Sequence, residues 1–357
     1  VSTSTTTRLT LPRPHLSLRD RAFTLATFAA AVAIFLTLGW SLMEPVDPQG
    51  AVSALARGGG LGLIIKAAAL AAATAALATA VGGVRLADIG TFATGLGLML
   101  VSIRGHNAAA LLTEQAAEGG TMRGLAAWMA VESLGWCGVM AVAMVVSGFV
   151  MKSLFVAPPV EPDPSDDGAT LDAKDERTRT AAAWALAAFD VPRLAPRWFT
   201  IGDAPLTPWR DGVRHAVIAT GVAFVLVMIL SAGVASRAIR HGEACFLVAA
   251  ALFAGSWAAH WLAPARSALW SMAAVPLLTT FGYIYAAVST SAAGMPVGVP
   301  GSPFLRVLPL QFAAVGFAAV VAAQWSVQVH ARLVTPTEKT KNPAPAQTNT
   351  ARRGGRR

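Results

Sequence analysis

Stretches of about 20 apolar residues recur along the chain, separated by short polar turns and by one long polar interval. A run of that length, wound as an α-helix, crosses a hydrocarbon core about 30 Å thick. Eight segments qualify: 21–43, 59–82, 88–103, 125–151, 213–234, 244–263, 268–290 and 308–325. The third and the eighth are the shortest. The first is too long for a signal-peptide core, and Trp40-Ser41-Leu42-Met43 lacks the small residues of a cleavage site, so it reads as a retained span. The pattern predicts an all-α integral membrane protein with about eight transmembrane helices.

Composition points the same way. Apolar residues make up 55% of the chain and charged ones only 13%, against about 45–50% and 25% in soluble domains. With a mean hydropathy of +0.56, a disordered chain is excluded and a water-soluble globule is disfavoured. Only five of the 28 basic residues are lysine, amid abundant Ala and Gly. That bias suggests a GC-rich bacterial genome and hence a bacterial inner membrane.

Positive charge sets the expected orientation. Eight spans put both termini on one side, and 21 of the 28 Lys and Arg residues fall there. Six lie on the opposite side and Lys66 alone lies within a span. Both termini are therefore expected in the cytoplasm. The resulting organisation is a basic N-terminus (1–20), a four-helix half (21–151), a cytoplasmic linker with an interfacial helix (152–212), a second half (213–326) and a disordered basic tail (327–357).

The two halves share a rhythm. In the first, about 15, four and about 20 residues separate successive spans; in the second the loops are about nine, four and 17 residues. Each four-residue turn carries one arginine, Arg85 or Arg266. Four spans per half give both halves the same orientation, the signature of a parallel repeat about an axis along the membrane normal.

The linker opens with a Pro/Asp-rich stretch at 157–168 that cannot hold a helix. It then becomes Ala-rich, and Trp198, Phe199 and Trp209 follow among Arg193, Arg197 and Arg210. Such a mixture suits the headgroup layer, or a docking surface for a protein partner at 152–212. In the tail, Arg352, Arg353, Arg356 and Arg357 are expected to contact anionic lipid head groups. No aromatic residues accompany them, so no nucleic-acid partner is expected.

Ionisable groups inside spans are the best pointers to function, because charge at mid-bilayer is costly. Lys66 and Glu132 each lie about seven residues into spans that start on the outer side. Equal depth and opposite sign predict an intramembrane ion pair. In the seventh span, Ser271, Thr279 and Tyr283 share a helical face, and Pro276 should kink the helix toward it. This is a possible polar cavity, although ordinary interhelical hydrogen bonds would use the same residues. Small residues at Gly58, Gly62, Ala93 and Gly97 suit close helix packing.

Other chemistry finds little support. The glycine run 58–62 ahead of Lys66 lacks the Lys-Ser/Thr ending of a nucleotide loop. No two of the six histidines have helical metal-site spacing, only His260 reads as lying within a span, and His241 to Cys245 completes no ligand set. Neither metal nor cofactor is expected. Cys137 and Cys245 are too few for a disulfide framework. The chain therefore reads first as a non-catalytic membrane-complex subunit or scaffold. A small-solute transporter or channel with its polar site near Lys66 and Glu132 is the alternative, and a lipid-modifying enzyme stands third.

Overall fold

A computed structural model describes residues 18–45, 50–54, 60–82, 88–117, 120–155, 209–232, 239–265, 268–289 and 302–334. Among them every regular element is helical, apart from one parallel bridge between Ala51 and His106. Helix α1 (Leu18–Ile34) continues through a π-helical turn (Phe35–Gly39) into α2 (Trp40–Met43). Then come α3 (Gly60–Gly82), α4 (Ile89–Arg104), α5 (Ala108–Ala117) and α6 (Met122–Phe155). The second half holds α7 (Trp209–Ala232), α8 (His241–Leu262), α9 (Ala268–Ser289), a 3-10 turn (Pro303–Arg306) and α10 (Pro309–Val334).

Seven of these helices are long and apolar enough to cross a membrane: α1 with its continuation, α3, α6, α7, α8, α9 and α10. The chain is a polytopic α-helical membrane protein. Helix α4 stands where the third span was expected but has only 16 residues, about 24 Å of helix. It is largely buried among its neighbours, so its surface need not match the thickness of the lipid. By contrast Leu61, Ile65, Leu77, Val131, Leu134, Val225 and Phe246 are exposed on the bundle's flanks, where a hydrocarbon solvent satisfies them. Trp209 and Trp261 stand exposed near one end, as amphipathic rings do at a membrane boundary. The end at which α1 begins is called proximal below, and the other end distal.

The halves meet reciprocally. The second long helix of each half packs on the fourth, α3 on α6 and α8 on α10. Between halves, the third helix of each rests on the fourth of the other: α4 on α10 and α9 on α6. Helix α10 is the most enclosed, with 72% of its apolar stretch buried against 28% for α1 and for α3. Small residues make these approaches possible. A β-carbon on Gly95 of α4 would lie 2.6 Å from the Ala314 carbonyl oxygen of α10. At Gly97 a β-carbon would collide with the ring of Phe35, which is fully buried. Phe35 is the first residue of the π-helical turn.

Several boundaries differ from the sequence reading. Helix α5 occupies part of the stretch of about 20 residues after the third span. Helix α6 runs on to Phe155 and α7 starts at Trp209, which shortens the linker at both ends. Helix α10 continues to Val334, so the first residues assigned to a disordered tail are helical. At the ends of such helices, polar residues keep hydrogen-bonding along the axis after the apolar run has stopped. The N-terminal arginines through Arg13, residues 156–208, both turn arginines and the four tail arginines lie outside the described residues.

Candidate functional site

At the distal end the polypeptide folds back into the bundle. Residues 50–54 are all buried and run beside 105–107, where the His106 amide donates to the Gly50 carbonyl at 3.1 Å. This segment ends on Glu132 of α6, itself only 2% exposed. The Glu132 carboxylate accepts from the Ser53 hydroxyl at 2.6 Å, the Ala54 amide at 2.8 Å and the Trp136 indole N–H at 2.9 Å. Three donors converge on one anion, the arrangement that makes a buried carboxylate tolerable. Lys66 takes no part. It is exposed on α3, so the ion pair expected from equal depth is not formed.

The polar residues of α9 go separate ways. Ser271, Thr279 and Tyr283 are each fully buried, and Pro276 lies inside the helix. Ser271 bonds His215 at 2.6 Å, Thr279 donates to the Pro276 carbonyl at 3.2 Å, and Tyr283 donates to the Val307 carbonyl at 2.7 Å. The Val307 bond ties down the segment after the 3-10 turn. Helix α10 helps, because the Gln311 side chain accepts from the Leu308 amide and donates to His241 Nδ1, both at 3.1 Å. The halves are further stitched by Asn107, whose amide donates to the Ile239 carbonyl at 3.4 Å. Within the 3-10 turn, burial holds the Arg306 guanidinium below its ordinary range.

The proximal end holds a cluster that the sequence reading missed. His215 of α7 and His260 of α8 meet edge to face, with ring centroids 4.6 Å apart. His215 Nδ1 lies 2.8 Å from the Ala263 carbonyl and its Nε2 2.6 Å from Ser271 Oγ. His260 Nδ1 lies 2.8 Å from the Ser256 carbonyl. Its Nε2, both polar atoms of the Gln324 side chain and the Ser256 hydroxyl have no hydrogen-bond partner among the described residues. Gln324 approaches the His260 ring without completing good hydrogen-bond geometry. The signal was present in the sequence. His215 and His260 stand near the same ends of two antiparallel neighbouring spans, which is the condition for rings at one depth.

A flank pocket of about 310 Å³ is lined by Leu230, Ile239, Gly242, Glu243, Phe246 and Leu247. It reaches neither Glu132 nor the polar residues of α9. Cys137 and Cys245 are buried and free, and no group of three or more His, Cys, Asp or Glu side chains gathers as a metal site among the described residues. Comparison with known protein families, with curated proteins and with solved structures finds no match.

Proposed function

We propose that this protein is a non-catalytic component of a bacterial inner-membrane assembly, a subunit or scaffold. The observation that carries the reading is how the distal polar groups are used. Glu132, Tyr283 and Gln311 each hold a segment of the protein's own backbone, and the flank pocket does not reach them. A transporter working through Glu132 and the α9 face would need those groups free to meet a solute. The excess of basic residues on the side of the termini supports a cytoplasmic location for both. The reciprocal packing of α4 on α10 and α9 on α6 supports reading the halves as a parallel duplication. A partner would dock on the cytoplasmic linker, and the four tail arginines would hold anionic lipid.

The test uses the full chain, extracted in mild detergent from its own membranes after cross-linking. The expected result is a stoichiometric protein partner whose cross-links map to 156–208 and which is lost when that segment is replaced by a Gly/Ser linker. A chain that purifies alone and carries a solute across proteoliposomes would overturn the reading.

A further inference from the structure

The proximal histidines have fixed protonation patterns. The Ser256 carbonyl can only accept, so His260 Nδ1 carries the hydrogen of the neutral ring. The same logic gives His215 an Nδ1–H toward the Ala263 carbonyl, and leaves its Nε2 to accept from the Ser271 hydroxyl. His215 is then fully used. His260 is half used, since its Nε2 is a bare acceptor with no protein donor in hydrogen-bonding geometry among the described residues. Beside it, Gln324 brings an unpaired carbonyl and an unpaired amino group, and Ser256 an unpaired hydroxyl. These side chains are 8%, 2% and 1% exposed.

Buried polar atoms without partners are rare, and each calls for an explanation. Ser256 and His260 stand one turn apart on α8 and Gln324 of α10 lies beside the His260 ring, so these four atoms set what a guest there must offer. A guest must donate to His260 Nε2 and to the Gln324 carbonyl, and must accept from the Gln324 amino group or the Ser256 hydroxyl. It must be neutral, because the groups around it are a neutral imidazole, an amide and a hydroxyl, which offer no countercharge in a low-dielectric interior. It must also be small, since the residues that hold it are closed on almost every side. Water, with two donors and two acceptors, meets each requirement.

We propose that the proximal ends of α8 and α10 enclose an internal water site built on His260, Gln324 and Ser256, filled from the proximal solution. His260 stands two residues from the end of α8, about 3 Å of helix rise from its last residue. The fully bonded pair of His215 and Ser271 walls the site on the side of α7 and α9. In the first half the Thr74, Thr91 and Thr94 hydroxyls are also without partners among the described residues. At its proximal end Thr79 and Ser147 bond each other at 2.7 Å.

Water-edited solid-state NMR of the full chain in lipid bilayers tests the site, with ¹⁵N-labelled His and Trp. Exposed His106 serves as the wet reference, and the Trp136 indole, buried on Glu132, as the dry one. Transfer from water to the His260 ring should build up within about twofold of the His106 rate. Build-up as slow as that of Trp136 would overturn the proposal. The Gln324→Met variant provides a second reading, because methionine has nearly the same length and no polar atoms. A hydrated site predicts slower transfer to His260 and a melting temperature lowered by a few degrees. A raised melting temperature would mean that the amide had been dry and unpaired, and would also overturn it.

Discussion

The two halves solve the same packing problem with different residues, and the contrast is sharpest at the proximal end. Arg85 and Arg266 mark matching turns, and the same separation of 181 residues relates Thr79 to His260, Gly90 to Ser271 and Ala75 to Ser256. In the first half these places hold small side chains that close on themselves. Thr79 bonds Ser147, and Gly90 lies against both of them and the Ala75 carbonyl. In the second half the same places carry an imidazole and two hydroxyls, with His215 and Gln324 added. The larger polar groups prevent full closure and leave atoms over. The proximal end of the first half is thus a sealed knot around Gly90, whereas that of the second leaves atoms of His260 and Gln324 without partners among the described residues.

The distal end gives the contrast its largest energetic consequence. The first half anchors its folded-back segment on a carboxylate with three donors, whereas the second uses separate neutral bonds to Tyr283 and Gln311. Glu132→Leu strands three buried donors at about 1–3 kcal/mol each, so a loss of about 3–5 kcal/mol is expected. Tyr283→Phe removes a single neutral bond and should cost about 1 kcal/mol. Thermal unfolding in detergent measures both. Equal losses would remove the distinction between an ionic and a neutral anchor.

The helices themselves were readable from the chain because length and apolarity are local properties. All eight expected spans have a helix, with ends displaced by up to four residues except in α10, which runs nine residues further. Partnerships across the bundle were not readable, and Lys66 explains why. Helix α3 is apolar around its whole circumference, so no polar face fixes which side turns inward. Its buried positions prove to be Ala67, Ala71, Thr74, Ala75, Ala78, Thr79 and Gly82, and Lys66 sits about 100° from Ala67 around the axis. The direction in which Lys66 points is what the sequence left open. The true partners of Glu132, Ser53 and Ala54, lie 79 and 78 residues away in a segment too short to show any periodicity. Ser271, Thr279 and Tyr283 were read as one face, but their separate partners follow from tertiary packing alone.

A middle-sized test targets the sealed knot directly. A β-carbon on Gly90 would lie 2.6 Å from the Ala75 carbonyl oxygen, a backbone atom that cannot swing aside. Gly90→Ala should therefore cost about 1–3 kcal/mol through overpacking, more than the gain in helix propensity returns. At the matching position Ser271→Ala removes no volume of consequence. It leaves His215 Nε2 without its donor, at about 1 kcal/mol. The two losses differ in kind as well as size. Ser271→Gly would be mild if the second half has room, while Gly90→Ser should be at least as damaging as Gly90→Ala. A tolerated Gly90→Ser would show that the first half is not sealed.

The smallest effect concerns how the third helix of each half begins. Asp88, in the turn ahead of α4, adopts φ 62° in the left-handed region, which glycine occupies without steric cost. Its side chain makes no capping bond in return. Burial also raises its carboxyl well above the usual carboxylate range. A raised value in the folded state means that folding binds a proton, so this group weakens the protein as pH rises above the ordinary carboxyl range. Asp88→Gly should stabilise by about 0.5–1 kcal/mol at neutral pH through the backbone. The gain should shrink toward pH 4, where protonation relieves the buried carboxylate in the unaltered protein. At the matching position, Leu269 lies inside α9 and packs on the core, so Leu269→Gly should destabilise by about 1 kcal/mol or more from helix propensity alone. Opposite signs at paired positions, measured by melting at pH 7 and pH 4.5, would tie the difference between the halves to their local backbone. The same sign at both would remove it.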